Sequence, residues 1–280
     1  MTTLLADLID YAGLYPPAGL DMRTAFRNYL AYQSSRHAGA LGKFIIGLDR
    51  IDELRFHAGG ELRNLKLSVI VSPGTDWNCI AGLLNDGVPI ESVEMKVQSK
   101  SEIEAVSNLP PSSFDKYFEI ALDLIEPEIL KAISFAGARV KLRMGGVTAE
   151  AFPSAPVVVR ALQSLAPYGI AFKATAGLHH PVRSHHRLTY AADSPTGWMH
   201  GFVNLMCAAA LIHFGGKADE AEALLDERDP GAWRLTSDGI AWRSHVWNAD
   251  HLSKTRKKLI SFGSCSFEEP IRDLEALGWL

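Results

Sequence analysis

Only three cysteines occur in 280 residues, Cys79, Cys207 and Cys265, far apart and without a CxxC pair. An odd, scattered set argues against a disulfide framework and against a structural zinc site. Dense basic runs are also missing beyond SKTRKK at 253–258, and 28 basic against 32 acidic side chains leave a formal net charge of −4. Nucleic acid is therefore a poor expectation as a partner, because phosphate binding is driven by clustered positive charge. No apolar run reaches membrane length; the longest, around LMCAAALIHF, covers about half a span. The N-terminal MTTLLADLIDYAG carries acids where a signal peptide needs bases and has no small-residue cleavage site. The expectation is a soluble cytoplasmic protein with no membrane partner.

Several chemical signatures are absent too. No GxGxxG follows the first strand, so nothing favours an open doubly wound sheet. No HExxH and no HxH on one strand support a metal centre, and no cofactor or metal is expected.

What is present is alternation. Short β-branched runs read as strands at 8–15 (LIDYAGLY), 43–48 (KFIIGL), 65–72 (LKLSVIVS), 92–97 (SVEMKV), 117–123 (YFEIALD), 139–146 (RVKLRMGG), 170–177 (IAFKATAG) and 259–264 (LISFGS). Helical segments lie between them. DMRTAFRNYLAYQSSRHA starts on a capping Asp21, while TDWNCIAGLLNDG, EPEILKAISFAG and APVVVRALQSLAPYG end on Gly87, Gly137 and Gly169. SFEEPIRDLEALG places Ser266 three residues before Glu269, the spacing of a capping box. Strand then helix, eight times over, predicts a parallel (β/α)8 TIM barrel. Residues 1–280 are read as one domain. An insertion at 198–250 precedes the eighth strand, with a helix in WMHGFVNLMCAAALIHFGG, a second in KADEAEALLDE and a hairpin turning at Asp238-Gly239.

Strand parity then sorts the side chains. Glu94 and Lys96 oppose Val93, Met95 and Val97; Glu119 opposes Phe118 and Ile120; Lys141 and Arg143 oppose Val140, Leu142 and Met144; Lys173 and Thr175 oppose Phe172. The apolar sets must meet the surrounding helices, which leaves the charged sets inside. With Asp10 from the first strand, the interior holds three negative charges (Asp10, Glu94, Glu119) and four positive (Lys96, Lys141, Arg143, Lys173), net +1. Barrel interiors are ordinarily aliphatic, and buried charges persist only when paired. Either these residues form a structural ion-pair lattice or they line a polar active site. Lys141 and Lys173 stand out because Gly145-Gly146 and Gly177 follow them, where the chain leaves the barrel and a ligand can approach the backbone. Two adjacent lysines are expected to lower each other's pKa, and a neutral amine is the form that attacks a carbonyl.

At these residues the chain resembles class I aldolases of the deoxyribose-phosphate aldolase type. RVKLRMGGVT resembles the strand-six lysine setting and FKATAGL the strand-seven one, with the glycine motifs partly exchanged between them; the likeness covers some thirty-five residues. It implies an imine at Lys141 with Lys173 tuning it, or the reverse assignment. A phosphate-binding Gly-Ser turn would correspond to Gly263 and Ser264 in FGSCS. The segment GLHHPVRSHH and the long insertion have no counterpart.

That segment carries four histidines in eight positions. His179 and His180 fall just past strand seven, where imidazoles suit proton transfer. A metal site would need His200, Glu94 and Glu119 as further ligands. His185 and His186 are read as exposed loop residues. Arg183 and Arg143 can grip a carboxylate or phosphate. Pro16-Pro17 shapes a rim loop that places Tyr15. Cys265 lacks a GxSxG elbow or a clear activating helix, which disfavours a nucleophilic role. Trp233, Trp242 and Trp247 either cover the pocket, form an oligomer contact or pack as an ordinary hairpin.

The expectation is thus a barrel enzyme acting on a small polar carbonyl compound, a Schiff-base lyase. Lys141, Lys173, Glu119, Glu94, His179 and His180 are its catalytic candidates. Lys96, Arg143, Arg183, Asp10, Thr175, Gly145, Gly146, Gly263 and Ser264 are its binding candidates. A metal-dependent hydrolase or isomerase and a non-catalytic ligand-binding barrel are the alternatives. The partner is a small molecule, and self-association is left open.

Overall fold

A computed structural model describes residues 2–107 and 114–280. Eight parallel strands close into a barrel: β1 (Ile9–Tyr11), β2 (Leu41–Gly47), β3 (Leu67–Val71), β4 (Ile90–Lys96), β5 (Asp115–Ile120), β6 (Arg139–Arg143), β7 (Phe172–Thr175) and, after an excursion, β13 (Leu259–Ser264). Neighbours pair in chain order, and β13 closes the ring against β1 and β7. This is the (β/α)8 architecture expected from the alternation. β1, β3, β5, β6 and β7 are shorter than the runs that predicted them, β2 and β4 begin two residues earlier and end one earlier, and β13 has the expected bounds. Tyr15, Gly145-Gly146 and Gly177 lie beyond strand ends and belong to the rim.

Helices α1 (Thr2–Leu5), α2 (Met22–Gln33), α3 (Ile51–Ala58), α4 (Trp77–Asn85), α5 (Lys100–Ser107), α6 (Pro127–Phe135) and α7 (Ala155–Leu165) alternate with the first seven strands. Asp21 caps α2 as expected, accepting the Thr24 N–H at 2.9 Å. Outward strand residues such as Val93, Phe118, Val140 and Phe172 are buried beneath these helices. Burying one such side chain contributes about 1.5–3 kcal/mol.

The excursion between β7 and β13 begins earlier than residue 198. His185 and His186 sit in a strand, β8 (Ser184–Arg187), which pairs antiparallel with β9 (Thr196–Met199); Trp198 belongs to that hairpin and not to the following helix. Helix α8 (Phe202–His213) carries the apolar stretch and is enclosed by α7, α9 (Ala218–Leu225) and α10 (Ala249–Arg256). Among the described residues no helix is long and apolar enough to cross a membrane. The Asp238-Gly239 turn joins β10 (Trp233–Leu235) to β11 (Ile240–Trp242), and β12 (His245–Trp247) adds a third strand to the predicted hairpin. Trp233 packs on Trp242 and on Trp279; none of the three hairpin tryptophans lines the central cavity. Helix α11 (Glu268–Ala276) closes the chain against the rim.

Candidate active site

Register decides which side chains meet inside the barrel. Lys141 on β6 stands level with Lys173 on β7 and with Glu119 on β5, and Glu119 stands level with Lys96 on β4. Glu94 lies two residues below Lys96 and reaches both lysines. Its Oε1 accepts from Lys173 Nζ at 2.6 Å and its Oε2 from Lys141 Nζ at 2.7 Å. Lys173 Nζ also donates to Asp10 Oδ2 at 2.6 Å, and Lys141 Nζ to Glu119 Oε2 at 2.8 Å. Arg143 Nη1 approaches Glu119 Oε1 at 3.4 Å. The result is a chain of alternating charge running from Asp10 through Lys173, Glu94, Lys141 and Glu119 to Arg143.

Buried charges of this kind must have every lone pair and proton used. Inward-facing hydroxyls complete the set: Ser68 Oγ donates to Glu94 Oε1 at 2.6 Å, Ser92 Oγ donates to Ser68 Oγ, and Ser261 Oγ donates to Asp10 Oδ2 at 2.7 Å. The Lys43 N–H donates to Asp10 Oδ1. A Cβ on Gly42 would stand 2.3 Å from that oxygen, so glycine makes room for the carboxylate. The Tyr117 ring lies 5.3 Å from Lys173 Nζ.

These surroundings overturn the expected mutual depression of the lysines. Burial pulls the Lys141 amine down, but Glu94 and Glu119 outweigh it and hold the group above its ordinary value. Lys173 is likewise raised, with burial opposed by Asp10 and Glu94. Burial pushes Glu94 up, yet the two lysines bring it below the usual carboxylate range; Glu119 is lowered by Lys141 and Arg143 against its own burial. The resting pair is therefore two ammonium groups separated by a carboxylate.

Above this chain, at the C-terminal ends of the strands, opens a cavity of about 530 Å³. Glu94, Glu119, Lys141 and Lys173 form its floor, and Lys96, Arg143, Thr175, Gly146, Gly263 and His179 line it higher up. Tyr15 stands on its wall, as the rim-loop reading expected. Of the seven charges read as interior, Lys96 and Arg143 are exposed at the mouth, because each ends its strand; Glu119 is half-buried, and Asp10, Glu94, Lys141 and Lys173 are buried. Asp10 lies beneath the floor.

Four binding or catalytic candidates are placed elsewhere. His180 Nδ1 faces Asp273 Oδ2 at 2.5 Å and its ring stacks on His186, away from the cavity. Arg183 meets His200 and Asp226. Gly145 does not line the cavity; the Phe152 ring lies across Gly145 and Gly177, where a Cβ would come within 2.5 Å of it. These two glycines thus admit an aromatic ring where the sequence suggested a ligand. Ser264 turns away from the barrel axis and lies with Gly263 inside β13, so FGSCS forms no turn at that point.

The proposed metal set of His200, Glu94 and Glu119 is not assembled. His200 Nε2 donates to the Pro153 carbonyl and Nδ1 accepts from Arg183; burial, opposed by the Pro153 bond and helped by the Arg183 charge, lowers the imidazole to about 4. Among the described residues no three His, Cys, Asp or Glu side chains cluster to hold a metal ion.

Parity reasoning restricted to charges missed Ser92 and Tyr117, which share faces with Glu94 and Glu119, and it had no inward charge on β3 or β13 from which to place Ser68 and Ser261. It also missed Glu269. This residue was read as half of a capping box, and Ser266 Oγ does accept its N–H at 3.2 Å. Its carboxylate, however, reaches forward to His179 Nδ1 at 2.6 Å and accepts from Tyr190 at 3.0 Å.

No protein-family model matches the chain, and no curated protein matches it. Among solved structures it is similar to a mutant of FabK from Thermotoga maritima, with 17% identity and a TM-score of 0.38; the match covers 64% of this chain and 57% of that one. Likeness of that degree bears on no chemistry, which has to come from the site's own atoms.

Proposed function

We propose that the barrel is a Schiff-base enzyme, a lyase of the class I aldolase kind, with Lys141 as its imine-forming amine. The observation that supports this reading is the position of Lys141 Nζ at the cavity floor, 2.7 and 2.8 Å from two carboxylates, with the second lysine on the far side of Glu94. Lys141 is the choice over Lys173 because its side chain retains 8% exposure against 2%, and its outer partner Glu119 faces the mouth.

An ammonium does not attack a carbonyl, so the first step is a proton passing from Lys141 to Glu119. The free amine then adds to the substrate carbonyl carbon. Glu119 returns the proton to the resulting hydroxyl, water leaves, and an iminium remains on Lys141. As ionised Glu119 takes the proton of the β-hydroxyl, that cation draws in the electron pair of the bond between the α and β carbons; the bond breaks, one carbonyl fragment departs, and the enamine left behind is protonated at its α carbon by Glu119 and hydrolysed. Glu94, held ionised by Lys173, lies where the iminium charge develops and stabilises it. Lys173 is a positioning residue. Arg143 and Lys96 at the mouth suit a substrate that also carries a carboxylate or phosphate.

Incubation with pyruvate, glyoxylate, acetaldehyde and dihydroxyacetone phosphate, each with borohydride, tests the proposal. A reduced adduct on the Lys141 peptide is expected, lost in Lys141→Met. No mass gain on either lysine across the panel would overturn it. The complete pairing of the floor charges also supports a second reading, a barrel that binds such anions without turning them over; that reading expects saturable binding without adduct.

A further inference from the structure

The cavity wall at the ends of β7 and β13 carries a second group of reactive side chains that the imine chemistry does not use. Cys265 follows β13 directly and is buried, yet lines the cavity together with His179. Its Sγ lies 3.8 Å from His179 Nε2. The other ring nitrogen, Nδ1, is 2.6 Å from Glu269 Oε2, so the N–H on Nδ1 donates to that carboxylate and Nε2 is left to face the sulfur. Tyr190, between β8 and β9, donates its hydroxyl to the other oxygen of Glu269 and lies 3.7 Å from Sγ.

Two segments distant in sequence, the end of β7 and the passage from β13 into α11, thus bring a thiol, an imidazole and a carboxylate into one line. This is the arrangement in which a base activates a nucleophile and a third group orients the base. Burial pulls the imidazole down, but the thiol and carboxylate raise it to about 9, consistent with a proton shared along that line. The groups facing it are Cys265, Glu269, Tyr190 and, at 6.4 Å between ring centres, His180. The other two cysteines supply a contrast within the same chain. Cys79 is exposed, and Cys207 is buried inside α8 in apolar surroundings that push its thiol up.

We propose that Cys265, His179 and Glu269 are a thiol nucleophile, an acid–base imidazole and an orienting carboxylate, which accept an acyl group from a small ester or thioester bound in the cavity. With the Sγ proton held on His179 Nε2, the sulfur bonds as a thiolate to the carbonyl carbon. The bond to the leaving alkoxide or thiolate breaks, and that group departs with the proton from Nε2. Water then attacks the thioester carbon, its proton returning through His179 to Sγ as the carbon–sulfur bond breaks and the acid leaves. Atoms balance as ester plus water giving acid plus alcohol, or thioester plus water giving acid plus thiol, with no oxidant or metal required.

The probe is p-nitrophenyl acetate, with acetylation of each cysteine followed by peptide mass analysis. Cys265 is expected to be acetylated and deacetylated faster than Cys79 in the same molecules. His179→Ala should slow its acetylation about 100-fold, and added imidazole should restore much of the rate. Glu269→Gln should slow it about tenfold, with the buried Cys207 still unacetylated in both variants as the sign that the fold persists. A purely structural role for the His179–Glu269 pair would show no rescue by imidazole. Acetylation of Cys265 no faster than that of Cys79 in the unaltered protein would overturn the proposal, whether or not the variants fold. The readout is on the Cys265 peptide and imine trapping is read on the Lys141 peptide, so either reading can fail without the other.

Discussion

Glu94 decides the state of both lysines. Its carboxylate is the shared partner that raises each, so Glu94→Gln should let Lys141 fall and give more free amine near neutrality. The pH at which imine trapping reaches half its maximum is expected to move down by about one unit or more; a trapping profile that stays where it was would show that Glu119 alone sets the amine. Lys141→Met should lower turnover of a trapped substrate by more than about 10³-fold. Lys173→Met should instead act on stability, because it leaves Asp10 and Glu94 buried without their shared cation. A loss of about 3–5 kcal/mol in urea unfolding is expected, partly recovered by adding Asp10→Asn. Parity along four strands was enough to read these residues from the sequence as inward. Which charge would sit between which others was not readable, since that depends on the stagger between strands, and the stagger places Glu94 between two lysines.

At the level of elements, the rim shows what a strand pattern can and cannot say. The glycines after β6 and β7 were legible as exits from the barrel, but their use was not, because Phe152 arrives from a loop with no periodic signal of its own. Gly177 has φ +69° and would place a Cβ 2.4 Å from the Phe152 ring. Gly177→Ala should therefore cost about 1–2 kcal/mol in backbone strain plus the clash. Made in a Phe152→Ala background, the same change should cost only the strain, which a double-mutant cycle in thermal or urea unfolding would measure. Helix α11 gives the complementary lesson. Ser266 and Glu269 have capping-box spacing, and one of the two bonds forms; the glutamate's other partner comes from the far side of a long insertion. No local rule reaches across that distance.

For the whole molecule, the charge network sets a range of pH over which the fold is supported. Glu94 and Glu119 are lowered from 4.5, so their contribution is present above that value and is lost as pH falls through their lower folded values. Lys141 and Lys173 are raised from 10.5, so theirs is present below that value and is lost only beyond it. His179 is raised from 6.5 to about 9, which puts its contribution below pH 6.5 and removes it between 6.5 and 9. His186 and His200, lowered to about 4 by burial, act in the opposite sense as pH falls below 6.5. The Tm difference between the unaltered protein and His179→Gln should therefore shrink from pH 6.5 to 9; a difference constant over that range would contradict the raised imidazole. Eightfold alternation made the barrel legible at this scale, whereas the β8–β9 hairpin escaped notice because its histidines read as a loop.

The floor of the cavity has a further consequence, for traffic. Asp10, Ser68, Ser92 and Ser261 are almost wholly enclosed beneath Lys173 and Glu94, with Ser261 bonded to Asp10 and Ser92 to Ser68 and so to Glu94, so among the described residues the barrel shows no rear exit. A molecule that enters past Arg143 and Lys96 must leave by the same door. If it is split inside, the fragment nearer the mouth has to go first, and the deeper one waits behind it.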